Sequence, residues 1–236
     1  MATPTMDARI FAALDQTSQV RGGLAAVGRG AEQVDPRSLQ MLAPETWLDD
    51  QIINFVAKRI VQTATERTYC YSSYFFSTLL QNTSRQDRYD FNQVSNWHNS
   101  RKIHETGEIF SLHNLLVLIN IDNSHWLLLH ASVVEKTVYL YDSDRRQTNS
   151  SNTNGHYLDA MVRYFHDVEV AVGRTTSNLE DYVQRWRKIN RLGSSPKQIN
   201  GYDFGVFTLI NLAVIAHGHT PSRTVYTQET VYRHQT

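Results

Sequence analysis

The stretch Pro196-Lys197-Gln198-Ile199-Asn200-Gly201-Tyr202-Asp203-Phe204-Gly205-Val206-Phe207 joins two kinds of chain. Up to Asp203 it is polar, with an Asn-Gly pair that favours a turn. From Gly205 to Ala216 only Thr208 and Asn211 interrupt an apolar run, and it is apolar nearly all round at helical spacing. This predicts a buried helix entered through a polar turn. The run falls short of the roughly 18 uninterrupted apolar residues of a membrane span.

Working outward, Trp47 to Ile60 sets Leu48, Ile52, Phe55, Val56 and Ile60 near one helical face, with Asp49 and Asp50 early, where the helix dipole favours them. Asp35-Pro36 reads as a helix start, and Tyr74–Leu80 as an aromatic-rich helix. Leu115–Ile121, Trp126–Val134 and Val138–Tyr141 read as strands, the last two forming a hairpin across Glu135-Lys136-Thr137. Tyr157–Phe165 and Leu179–Ile189 read as amphipathic helices. The predicted architecture is α+β, with helices around a mostly antiparallel sheet. Residues 1–35 form a prelude, with a short helix over Met6–Leu14 and a glycine-broken run after it. Residues 36–236 form one domain, in which the Thr148–Gly155 run is a surface loop.

The 236 residues carry 23 Lys+Arg against 23 Asp+Glu, which removes a whole-surface attraction for nucleic acid or anionic membrane. The single cysteine, Cys70, excludes an internal disulfide framework and a cysteine-built zinc cluster. Asp7 and Asp15 bracket the only apolar cluster of the N-terminus, unlike a secretory signal. A nuclear or cytoplasmic protein is expected.

Three blocks carry chemistry. They are Trp47-Leu48-Asp49-Asp50-Gln51-Ile52-Ile53-Asn54; His125-Trp126 followed by Tyr139-Leu140-Tyr141-Asp142-Ser143; and Pro196–Phe207. His125 begins one hairpin strand and Asp142 ends its neighbour, so an antiparallel pair brings them to the same end of the sheet. A carboxylate beside an imidazole fixes its tautomer, as the base-and-orienter half of a catalytic triad. Gln198 offers a neutral amide donor of the kind that lines an oxyanion hole. A nucleophile belongs at the N-terminus of the buried helix, where the dipole and free N–H groups stabilise negative charge. The residue there is Phe204, which has no nucleophilic atom and no proton to give.

These blocks resemble the ubiquitin-like-protein-specific, or SUMO (sentrin)-specific, cysteine proteases over residues 36–236. Matching positions are Trp47, Leu48, Asp50, Ile53, Asn54, His125, Trp126, Asp142, Gln198, Asn200, Gly201, Asp203, Gly205 and Phe207. The resemblance implies a papain-like cysteine protease fold of the ubiquitin-like-protease type. It implies His125 as base, Asp142 as its orienter and Gln198 as oxyanion donor. Trp47, Asp50 and Trp126 would surround a tunnel for the Gly-Gly tail of a SUMO-like or other ubiquitin-like modifier, free or conjugated. The expected reaction is deconjugation or precursor processing, with no cofactor, no metal, and no nucleic-acid or membrane partner. Tyr226-Thr227-Gln228 resembles the family's final helix region.

The departure is at 204, where the family pattern has the catalytic cysteine. Cys70 lies outside all three blocks and is expected only to fill space. Loss of a triad nucleophile costs about a million-fold in turnover, so the chain as written is expected to be a pseudoprotease. Two readings stay beside this one. The chain is an active isopeptidase if residue 204 is Cys in the native gene, since Cys and Phe codons differ by one base. Alternatively it is an interaction scaffold with an unused cleft, docking an acidic modifier surface or RNA through Arg185, Arg187, Lys188 and Arg191. For that cluster around Trp186 a solvated helix face is the favoured account.

The remaining features have plainer readings. Gly201 is read as a turn needing positive φ, and Gly205 as close packing at a helix start. His217-Gly-His219 is read as a solvated helix end, while His104, His113 and His130 lack ligand spacing. Phe204 is either tolerated decay or a plug, its burial worth about 1.5–3 kcal/mol if the ring fits.

Overall fold

The computed structural model describes residues 34–43, 45–81, 88–95, 108–144, 154–190, 195–223 and 225–233. The helix expected over Met6–Leu14, residues 148–153 of the polar loop, His104 and Arg191 lie outside them.

Local signals account for the first two helix starts. In α1 (Pro36–Gln40) the Asp35 carboxylate accepts the N–H groups of Arg37 and Ser38, with proline in the first turn. In α2 (Asp50–Gln62) Asp49 caps the N–H of Ile52, and Ile52, Ile53, Val56, Ala57 and Ile60 are buried. Trp47 and Leu48 therefore precede the helix. After β1 (Thr68–Tyr71) come α3 (Tyr74–Leu80), α4 (Asn92–Ser95) and a 3-10 turn at Glu108–Ser111.

The strands β2 (Asn114–Ile121), β3 (His125–Ser132) and β4 (Thr137–Asp142) form an antiparallel meander. Asp122 and Asn123 turn β2 into β3 with φ of 50° and 54°, which short polar side chains tolerate. This makes His125 the first residue of β3, paired with Ile121. Next come α5 (Gly155–Ala171), α6 (Leu179–Val183), β5 (Arg187–Asn190), α7 (Phe204–Ala216) and α8 (Gln228–Arg233).

The sheet order is β1-β2-β3-β4-β5, with β1 parallel to β2 and β5 parallel to β4. The sheet is thus mixed, with the expected antiparallel strands at its centre and a short parallel pairing at each edge. The two outer pairings need crossovers, supplied by α3–α4 and by α5–α6. The expected helix over Leu179–Ile189 is corrected: it stops at Val183. Trp186 is buried, stacked on Phe165 with ring centroids 4.7 Å apart, and Arg187–Asn190 pairs with β4.

Alternation along the meander divides two cores. Leu115, Val117, Leu127, Leu129 and Leu140 face α3 and α5 through Phe75, Phe76, Tyr164 and Phe165. Leu116, Leu118, Trp126, Leu128 and Tyr141 face α2 and α7 through Ile53, Val56, Phe207 and Ile210. Every residue of α7 except Val206 is buried, as an all-apolar helix between layers requires. Its N-terminus arrives at the sheet end where β3 begins and β4 stops.

Candidate active site

Asp142 pairs with Leu127, two positions inward of His125, so the two side chains share a face of the pleat. His125 Nε2 lies 3.0 Å from Asp142 Oδ1. The Asp142 side chain is fully buried, and its Oδ1 also accepts the N–H of Asp144 at 2.8 Å. A carboxylate can only accept, so Nε2 carries the proton and Nδ1 of the neutral ring keeps its lone pair. Nδ1 is buried and has no hydrogen-bond partner.

The neighbour of that ring is Phe204, the first residue of α7 and 5% exposed. The two rings meet edge to face, 4.4 Å between centroids at 87°. The imidazole therefore has an oriented carboxylate on one side and a phenyl ring beside it. Phe204 offers that imidazole no proton to exchange.

The turn before α7 is a dense polar network. Gln198 is 2% exposed: its Oε1 accepts from Ser143 Oγ at 2.7 Å and its Nε2 donates to the Asn200 carbonyl at 2.8 Å. The Gln198 N–H donates to the Ser143 carbonyl at 3.0 Å, seating this block against the end of β4. Asn200 Oδ1 accepts the N–H groups of Tyr202 and Asp203, at 3.2 and 3.1 Å, and its Nδ2 donates to Asp203 Oδ2 at 2.7 Å. Gly201 has neither positive φ nor any atom within 4 Å of an added Cβ, so the expected turn strain is absent there. Gly205 meets its expectation, since an added Cβ would sit 2.9 Å from Ile53 Cδ1 and 3.1 Å from Leu48 Cβ.

Trp47 is 51% exposed and donates its indole N–H to the Gly201 carbonyl at 3.0 Å, bridging the α2 approach to the turn. Trp126 is buried and donates to the Leu48 carbonyl at 3.0 Å. Asp50 stands at the start of α2, with Asn120 Nδ2 a long 3.5 Å from its Oδ1. The three sequence blocks thus converge on one place, and His125, Asp142, Gln198, Phe204, Trp47 and Trp126 are joined by contacts or through shared neighbours.

The profile of the Ulp1 protease family, C-terminal catalytic domain, matches residues 46–235. The chain belongs to the Ulp1 protease family. It is 25% identical over 187 residues to ubiquitin-like-specific protease 1 of Saccharomyces cerevisiae, covering 76% of this chain and 25% of that protein. Against human sentrin-specific protease 3 the identity is 26% over 192 residues, covering 81% and 29%. The chain thus spans about a quarter of the length of these curated relatives. A solved structure of SUMO protease Ulp1 with its catalytic cysteine oxidised to a sulfinic acid superposes with a TM-score of 0.71 at 21% identity, covering 99% and 93% of the two chains. The Ulp1 protease domain in complex with Smt3, the yeast orthologue of SUMO, gives 0.67 at 22%, covering 100% and 94%. These structures share this family member's α+β fold.

Other candidates fall elsewhere. Cys70 pairs with Leu116, and Leu116 with His130. His125 is five residues further along β3 and two strands across, which puts Cys70 about 20 Å from it. Burial also pushes the Cys70 thiol far above its ordinary value. His217 is buried, its Nδ1 donating to the Ala213 carbonyl at 2.9 Å, and so is not the solvated helix end expected. His130 stacks on Tyr139 and bonds Asn114 at 2.9 Å. Arg185, Arg187 and Lys188 are bonded to Ser177, Thr137 and Asp159 respectively. Among the described residues no group of three or more His, Cys, Asp or Glu is placed to hold a metal, and no helix is long and apolar enough to cross a membrane.

Three residues at the site had no role assigned to them in the sequence. Ser143 anchors Gln198. Lys197 is buried, and its ammonium donates to the carbonyls of Asp142 at 2.8 Å and Asp144 at 3.3 Å. Burial lowers it from the usual lysine value, opposed by the Asp142 and Asp144 carboxylates. Gln228 reaches the turn from α8. No spacing rule marks any of them.

Proposed function

We propose that this chain is a non-hydrolysing member of the Ulp1 protease family that binds a SUMO-like modifier, with residues 36–236 as its protease-type domain. The carrying observation is the Phe204 ring set edge to face on His125, 4.4 Å away, beside an unpartnered, buried Nδ1. In a working site that nitrogen would take the proton of a thiol at the helix N-terminus, and the thiolate would attack the carbonyl that ends the Gly-Gly tail. His125 and Asp142 keep the base-and-orienter arrangement, and Gln198 keeps an amide beside the helix start. What is missing is the atom that forms the bond.

The modifier-binding half of the reading rests on Trp47 and Trp126, tied to the turn and to the α2 approach by their indole N–H groups. The names of the relatives support the kind of partner. Arg185, Arg187 and Lys188 are exposed and each makes a hydrogen bond within the chain, and the scaffold reading stands second to the cleft reading. An active isopeptidase remains the reading if the gene encodes cysteine at 204, and its codon decides that.

The test is cleavage of a panel of tail-extended ubiquitin-like proteins by this chain and by Phe204→Cys. The expected result is cutting by the variant alone, with binding to the same modifier by both. Cleavage by the unaltered chain, abolished by His125→Ala, overturns the reading.

A further inference from the structure

The turn that carries Gln198 and opens α7 is held from behind by a residue far away in sequence. Gln228, the first residue of α8, is 5% exposed and bonds the turn through both ends of its amide. Its Oε1 accepts the Ile199 N–H at 2.9 Å, and its Nε2 donates to Asp203 Oδ2 at 2.6 Å. The same Asp203 oxygen takes Asn200 Nδ2 at 2.7 Å, and the Asn200 carbonyl takes Gln198 Nε2 at 2.8 Å. The line therefore runs without a break from α8 to Gln198, and on through Ser143 to the strand end that bears Asp142.

Behind Gln228 the chain is itself seated. Tyr226 is buried, its hydroxyl donating to Asn211 Oδ1 of α7 at 2.7 Å, and Val231 is buried in the same core. A short final helix gains little stability alone, so its position depends on these contacts.

We propose that Gln228 is a positioning residue: it locks the turn 198–203 in the conformation that presents the Gln198 amide and the α7 N-terminus to a bound tail, making the C-terminal segment part of the site. This rests on the modifier-binding reading above. Asp203 and Gln228 are buried, and a buried polar group carries a full desolvation penalty when its partner is lost. Without Gln228, the Ile199 N–H loses its acceptor and Asp203 one of its donors. The turn relieves that loss by opening to water, and Gln198 moves with it. A displaced oxyanion donor is felt in the transition state rather than in ground-state binding.

The experiment uses the full chain in the Phe204→Cys background, with Gln228→Leu and Gln228→Glu, the latter followed across pH beside the parent. Amide exchange at Ile199, Tyr202 and Asp203 is measured alongside cleavage of a tail-extended modifier. For Gln228→Leu, exchange in the turn rises at least tenfold, and kcat falls on the order of 10- to 100-fold with KM within threefold. Gln228→Glu is worse, because two carboxylates then face each other. Acidification returns its exchange to within about threefold of the parent measured at the same pH. Once protonated, the carboxyl at 228 donates to Asp203 Oδ2 while its other oxygen still accepts the Ile199 N–H. Unchanged exchange in Gln228→Leu, or failure of Gln228→Glu to recover on acidification while its far-UV spectrum stays native, overturns the proposal. If the Phe204→Cys chain cleaves nothing, the proposed function falls and exchange with its recovery alone decides the brace.

Discussion

Replacing Gly205 by alanine tests how tightly the helix start is packed. Gly205 is the second residue of α7, buried, with no positive φ to forbid a side chain. In open space the change would stabilise the helix by about 0.5–1 kcal/mol. Here the added Cβ would meet Ile53 Cδ1 at 2.9 Å, Leu48 Cβ at 3.1 Å and Leu48 Cδ1 at 3.3 Å. Carbon pairs are comfortable at about 3.5–4.0 Å. Ile53 is wholly buried, and in a close-packed core its terminal methyl yields only by displacing its neighbours. Leu48 Cβ moves only with its backbone, whose carbonyl receives the Trp126 indole. Overpacking of this kind costs about 1–3 kcal/mol. The balance is a destabilisation of about 1–2 kcal/mol, or roughly 2–8 °C in Tm for a domain of this size. Urea unfolding with an unchanged m-value measures it, and weakened modifier binding should accompany it as Leu48 and Trp126 shift. A Gly205→Ala protein as stable as the parent, or more so, would refute the packing argument.

Trp126→Phe removes a buried donor and strands the Leu48 carbonyl, at about 1–3 kcal/mol; a change below 0.5 kcal/mol in urea unfolding would mean the carbonyl finds water. Because burial lowers Lys197 from its ordinary 10.5, the unfolded chain binds more protons between the lowered value and 10.5. The Lys197 contribution to stability therefore rises with pH across that window. Urea midpoints should climb for the parent relative to Lys197→Met as pH approaches 10.5 from below, and parallel curves would contradict the assignment. The Cys70 thiol, raised by burial, should react with an aromatic disulfide reagent at least tenfold more slowly in the folded chain than in denaturant, and its alkylation should leave modifier binding intact.

Much of the site was legible because its signals are local. Asp35-Pro36 announces a helix start, the run from Gly205 predicts α7, and short apolar runs mark the three meander strands. Hairpin geometry then carries His125 to Asp142, since antiparallel neighbours exchange beginnings for ends. The absence of a nucleophilic atom at 204 is likewise a fact of sequence alone.

Tertiary structure decided the rest. The edge strands β1 and β5 are four residues each and pair in parallel across long crossovers, so no window of sequence contains both partners. The stretch Leu179–Ile189 reads as one helix by spacing, yet Trp186 stacking on Phe165 and the open edge of β4 draw its second half into the sheet. Lys197 and Gln228 act through carbonyls, N–H groups and carboxylates that the fold brings to them from up to 55 positions away. A residue's chemistry is written in its identity, but the burial of a polar group and the partner that compensates for it exist only once distant segments have met.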